Sequence, residues 1–123
     1  MSSNIYQEEL MDHFRNPRNK KRLDNPDVTS GENNPSCGDK IVVDCNIENG
    51  VIKEIGFHGS GCVISQASAS MLFEFCIGKT IEQVLNLGKD VVLELIGIEL
   101  GPNRLRCALL ALQALQSGLL SNK

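Results

Sequence analysis

From Ile41 to Phe57 the chain alternates inward and outward positions with a period of two, and the alternation is interrupted once, at Glu48-Asn49-Gly50. Ile41, Val43, Cys45 and Ile47 share one face of the first run, and Val51, Lys53, Ile55 and Phe57 take the matching phase in the second. A period of two describes a half-buried strand, and Asn-Gly between two such runs supplies the positive φ of a tight hairpin turn. The segment therefore predicts an antiparallel β-hairpin with one face that must be covered. The residues that follow can cover it. Cys62 to Ile77 contains neither Gly nor Pro and is rich in Ala, Met, Leu and Phe. It follows Gly59-Ser60-Gly61, so a helix is expected to leave a glycine turn with Cys62 at its N-terminal end and Gly78 as its C-cap.

The rest of the chain reads as smaller elements around this unit. Ile5, Leu10, Met11 and Phe14 recur at helical spacing, and Asn16-Pro17 ends that helix because a residue before proline is pushed out of the α region. Arg15 to Gly38 is polar and punctuated by Pro17, Pro26, Gly31 and Pro35, which predicts a long loop with a short edge strand near Val28. Thr80-x-x-Gln83 is a capping-box pattern for a short helix that Gly88 closes; Asp90 is expected to cap another, running to about Ile98. Gly101-Pro102 breaks the chain, and Arg104 to Leu119 forms a final helix with Cys107 in its first two turns. Early strands and later helices give an α+β domain. We expect a small antiparallel sheet of about three strands with helices packed on one face, and a single domain over residues 1–123.

Charge and hydropathy exclude some functions. Twelve Lys and Arg against fifteen Asp and Glu give a net charge of −3, with no Trp and one Tyr, so no nucleic-acid surface is expected. No apolar run approaches the ~20 residues that cross a bilayer, and the N-terminal residues lack the order of a secretory signal. A cytoplasmic protein with no membrane partner is expected. Five cysteines, at 37, 45, 62, 76 and 107, include no C-x-x-C pair, and the odd count argues against a closed disulfide framework.

The five differ in setting. Cys45 shares the inward face of its strand. Cys76 lies 14 positions after Cys62, ~21 Å further along an intact helix, and so cannot share a ligand with it; its neighbours Phe73 and Phe75 suggest core. Cys37, Cys62 and Cys107 each follow a turn containing Gly or Pro, and a helix start favours the thiolate that binds metal or attacks sulfur. Asp39 follows Cys37 by two residues, so an extended chain presents both on one side. Taken alone, these residues fit metal ligands, nucleophiles or idle surface thiols. His58, four residues before Cys62, could reach such a site but is expected to be exposed at the end of its strand. His13 is read as a helix-end cap or contact. Lys40, Arg104 and Arg106 either moderate the charge of the site or form a solvated face.

The order of motifs narrows these options. Asp12-His13-Phe14-Arg15-Asn16-Pro17-Arg18-Asn19, Asn34-Pro35-Ser36-Cys37-Gly38-Asp39, Gly59-Ser60-Gly61-Cys62-Val63-Ile64-Ser65, Ala67-Ser68-Ala69-Ser70-Met71 and Arg104-Leu105-Arg106-Cys107-Ala108 resemble the U-type iron–sulfur cluster assembly proteins along nearly the whole chain. The resemblance implies that Cys37, Asp39, Cys62 and Cys107 converge at one end of an α+β fold and hold Zn²⁺, or that the three cysteines bind a [2Fe–2S] cluster at the same place. It also implies a cysteine desulfurase as sulfur donor and apo iron–sulfur proteins or a downstream scaffold as acceptors. Cys37 is expected to accept the sulfur, and Arg104 to support it. The spelling is nearest the SufU branch, in Gly61-Cys62-Val63-Ile64-Ser65 and in Arg104. Arg106 stands where IscU-type members carry His, and Glu99-Leu100-Gly101-Pro102-Asn103 replaces their Leu-Pro-Pro-Val-Lys segment. Yet Cys107 lies only 45 positions after Cys62, short in the IscU manner. Two readings follow: a scaffold that assembles a cluster, and a zinc-dependent sulfurtransferase that passes a persulfide onward.

Overall fold

The chain folds, in the computed structural model, as α1 (Ser2–Arg15), β1 (Val28–Asn34), β2 (Asp39–Glu48), β3 (Val51–Ser60), α2 (Val63–Cys76), α3 (Ile81–Leu85), α4 (Lys89–Ile96) and α5 (Pro102–Ser121). Residues 2–35 and 38–121 are described. The expected hairpin is present. Asn49 and Gly50 take φ of 55° and 75°, the paired left-handed geometry that lets β2 and β3 twist together without splaying. β1 adds to the far side of β2, giving an antiparallel sheet in the order β1-β2-β3. Helices α2 and α5 lie on one face of the sheet and on each other. Ile41, Val43, Cys45, Ile55 and Phe57 are fully buried beneath them, and the Phe57 and Phe73 rings meet edge to face at 5.4 Å.

Three local expectations change. Ile52, not Val51 or Lys53, faces the core, because a bulge between Asn46↔Glu54 and Ile47↔Ile52 leaves Lys53 unpaired and shifts the phase of β3 by one residue. Gly88, not Asp90, occupies the N-cap of α4; Asp90 sits in the first turn, where its charge complements the helix dipole. Pro102 opens α5 instead of separating it from what precedes, since a proline at the first helical position lacks only an N–H that would go unbonded there. The capping box at Thr80 and Gln83 forms as expected.

The second face of the sheet is covered by the segment between α1 and β1, which the sequence presents only as a polar loop. Phe57 N–H donates to the Asn19 carbonyl at 3.0 Å. Asp44, fully buried on β2, accepts hydrogen bonds from Arg22 Nε at 2.7 Å, Leu23 N–H at 3.1 Å and Thr29 Oγ1 at 2.8 Å. Burial alone would raise its pKa, but these donors, Arg22 first, hold the carboxyl below the usual carboxylate value. A depressed folded-state pKa stabilises the fold above the ordinary value near 4, and that stability is lost as pH falls through the folded value. Asp44→Asn should cost about 2–3 kcal/mol at pH 7. Urea unfolding at pH 7 and pH 3 checks this: the gap between variant and parent should narrow at the lower pH.

At the other end of this segment His13 is buried, with Nδ1 2.7 Å from Ser70 Oγ on α2, and the same hydroxyl oxygen accepts from Arg18 N–H at 2.8 Å. His13 is therefore a contact that pins α1 to α2, and burial holds its pKa below the ordinary imidazole value.

Candidate metal centre

The Asp39 carboxylate and the Cys62 and Cys107 sulfurs each offer a ligand atom, and all three atoms lie within 4.8 Å of one another. Each comes from a different element. Asp39 is the first residue of β2, Cys62 the N-cap of α2, and Cys107 lies five residues beyond the start of α5. Cys62 takes φ −73° and ψ 167°, an extended conformation that turns its sulfur back over the helix start, where it accepts a hydrogen bond from Ser65 N–H at 3.4 Å. Its own N–H donates to Asp39 Oδ1 at 2.8 Å, and its sulfur is 3.8 Å from Asp39 Oδ2. Tetrahedral zinc, with bonds of about 2.0–2.3 Å, sets its ligand atoms roughly 3.5–3.8 Å apart. The donor set fits such an ion; the Cys62 sulfur and Asp39 Oδ2 already stand at that spacing, and all three ligand atoms are within about an ångström of it.

Gly61 makes this approach possible. Its φ is 146°, and a Cβ there would run into Asp39 Oδ1 and lie 2.8 Å from Ser65 Oγ. Ser65 Oγ donates to the Cys62 carbonyl at 3.1 Å and accepts from Gln66 Nε2 at 3.2 Å. Gly61, Ser65 and Gln66 thus hold the ligands in place. The sequence carried one signal for Ser65, its position three residues after an N-cap, and none for Gln66.

The remaining assignments sort by burial. Asp39 and Cys107 are 1% and 3% exposed; Cys62 is exposed. Cys107 stands past the first turn of α5, so its setting is a packed helix face and not a helix end. Cys45 and Cys76 are wholly buried, and burial pushes both thiols up to about 12, which keeps them protonated and unfit as ligands. Cys37 lies outside the described residues. His58 is half-buried, not exposed, and does not join the ligand group. Arg104, Arg106 and Lys40 are exposed. Of these cations, Arg104 reaches the site's surroundings, lining with Cys62 and Cys107 a cavity of about 550 Å³.

The chain is similar to known proteins along nearly its whole length. The family described as NifU-like N terminal domain matches residues 5–122. The zinc-dependent sulfurtransferase SufU of Bacillus subtilis is 35% identical over 131 aligned positions, which cover 93% of this chain and 88% of that protein. The iron–sulfur cluster assembly scaffold protein IscU 1 of Archaeoglobus fulgidus is 35% identical over 112 positions, covering 91% and 72%. A crystal structure from Fervidobacterium islandicum, assigned as an iron–sulfur cluster assembly scaffold for the SUF system, superposes with a TM-score of 0.82 at 25% identity, over 97% of this chain and 99% of that one.

Proposed function

Because the chain belongs to the NifU-like N-terminal domain family, we propose that it accepts sulfur from a cysteine desulfurase and assembles or hands on a [2Fe–2S] cluster. The observation that carries this reading is the meeting of two thiols and one carboxylate from three separate elements within 4.8 Å. Cys37, two residues before Asp39, is the third thiol and the sulfur acceptor in this proposal. Thiolates are the usual protein ligands of cluster iron, whereas Asp39 is a hard, weaker partner for a soft metal. Such a ligand can leave when sulfide or a recipient thiol needs the position. Apo iron–sulfur proteins, or a further scaffold, are the recipients, and the setting is the cytoplasm, where thiols remain reduced.

A second reading, zinc-dependent persulfide transfer, is favoured by the relation to SufU and by Arg106. Zn²⁺ on Asp39, Cys62, Cys107 and Cys37 would lower thiol protonation and fix the ligand geometry. Arg106 is permanently charged and cannot relay a proton as a histidine could. The alignment to the Bacillus subtilis SufU runs over 131 positions, more than this chain's 123 residues, so that protein carries additional residues, whereas the 112 positions shared with IscU 1 equal 91% of this chain.

The two readings separate in one experiment: oxygen-free incubation with a cysteine desulfurase, cysteine and ferrous iron, followed by visible and Mössbauer spectra and mapping of persulfides by mass spectrometry. A [2Fe–2S] chromophore that moves to an apo-acceptor supports the scaffold. Persulfide on Cys37 of zinc-loaded protein, with no cluster, supports the transferase. Asp39→Ala should weaken binding about tenfold, as any displacement of that carboxylate does, yet slow transfer of what stays bound about tenfold or more, because the ligand that leaves readily is gone. Equal transfer rates in variant and parent would defeat the labile-ligand argument.

A further inference from the structure

Beside the ligand group, the cavity of about 550 Å³ has Met11, Ile64 and Ile98 among its apolar walls, Cys62 and Cys107 opening into it, and Arg104 also lining it. That volume is in the range of small-molecule sites, which bind through apolar walls and a few placed polar groups. Arg104 and Cys107 lie three residues apart on α5 and therefore on one face of that helix. The lining combines an apolar slot and thiols with Asn103 and with Arg104, whose guanidinium fork matches a carboxylate. We propose that this cavity binds a small alkyl perthiol carrying a carboxylate, a second source of sulfur that needs no protein donor.

The proposal extends the reading above and rests on it, giving small-molecule sulfur its own acceptor, Cys62, beside the Cys37 that takes desulfurase sulfur. Cys62, the exposed thiol among the described cysteines, is placed to react. Its thiolate attacks the terminal sulfur of R–S–SH. The donor's S–S bond breaks, a new S–S bond forms to give Cys62–S–SH, and R–S⁻ departs with the electron pair and takes a proton from water. One disulfide-type bond replaces another, so no outside oxidant or reductant is required. The apolar walls hold the alkyl stem, and Arg104 holds the carboxylate away from the sulfur.

The test uses the full chain without desulfurase, both as isolated and after chelation, with the perthiol of 6-mercaptohexanoate and that of its methyl ester as probes. Persulfide on each cysteine is followed by mass spectrometry against probe concentration. Labelling of Cys62 by the acid should saturate, and Arg104→Ala should raise the half-saturating concentration about tenfold while leaving the ester's unchanged. Ile98→Trp, which fills the slot, should suppress labelling by both probes. Rates that rise linearly without saturation and are equal in parent, Arg104→Ala and Ile98→Trp would overturn the proposal, as would no labelling in either metal state. If desulfurase-driven cluster formation proceeds normally in the same preparation, only this inference falls; if that fails too, the functional reading falls with it.

Discussion

Cys62→Ser and Cys107→Ser are each expected to lose tightly bound metal, with affinity falling by more than about 100-fold, since even removing an outer partner of a metal ligand costs 10–100-fold. Cys37→Ser should behave alike if Cys37 completes the set. Cys45→Ser and Cys76→Ser should keep the metal, because both thiols are wholly buried in the core and held protonated. Their cost is in stability, as each would place a hydroxyl in the apolar core, with the Asn46 carbonyl, 3.9 Å from the Cys45 sulfur, as an acceptor at position 45 alone of the two. Metal content of anaerobically purified variants decides the matter. Retention by Cys62→Ser with loss from Cys45→Ser would refute the ligand assignment. Binding of zinc to thiolates can be worth on the order of 10 kcal/mol, comparable to a whole domain's stability, so chelation of parent protein should lower the melting temperature by more than about 10 °C. An unchanged melting curve after verified metal removal would exclude a structural contribution.

Gly61→Ala should damage both fold and site. At φ 146° a side chain is strained, and the added methyl collides with the Asp39 carboxylate and crowds Ser65 Oγ. Strain and crowding together should cost about 2–5 kcal/mol. To relieve them Asp39 must swing away, which breaks its bond to Cys62 N–H and removes one ligand from reach, so metal affinity should fall tenfold or more. Gly78→Ala is the control. Gly78 also has positive φ, 93°, but an added Cβ there meets nothing within 4 Å. It should cost about 1–2 kcal/mol and leave metal affinity as in the parent. Metal titration and urea unfolding of the two variants separate backbone strain from injury to the site. Equal affinities would mean that Gly61 is there for the turn alone.

The legible parts of this fold are those whose causes are local. Asn49-Gly50 announces a hairpin, Thr80 and Gln83 a capping box, and Gly61-Cys62 a helix start, because each motif solves a backbone problem within a few residues. The bulge at Lys53 was not legible, since the phase of β3 depends on how it pairs with β2. Neither was the cover that residues 16–27 lay over the second face, whose anchor is a buried Asp44 bonded across more than twenty positions to Arg22 and Leu23. Alternation marked Asp44 as outward; only tertiary contact buries it. The site was legible in a different way. Strand periodicity marks Cys45 as core and the neighbouring Phe73 and Phe75 mark Cys76, but the grouping of Asp39, Cys62 and Cys107 follows from motif order and not from spacing. His58 stands near the end of its strand, which predicts exposure, but its register opposite Val42 leaves it half-buried.

The ligands' separation along the chain has a temporal consequence. Asp39 and Cys62 meet through the hairpin they flank, a near-neighbour closure, but Cys107 arrives only with the last helix, which must dock across β1 and α2. During synthesis α5 leaves the ribosome after the hairpin, so a nascent chain offers an incomplete, weakly binding set until α5 has emerged. Capture of metal is then a late event that records completed folding. Its rate in a refolding reaction should match the docking of α5, not the earlier formation of the hairpin.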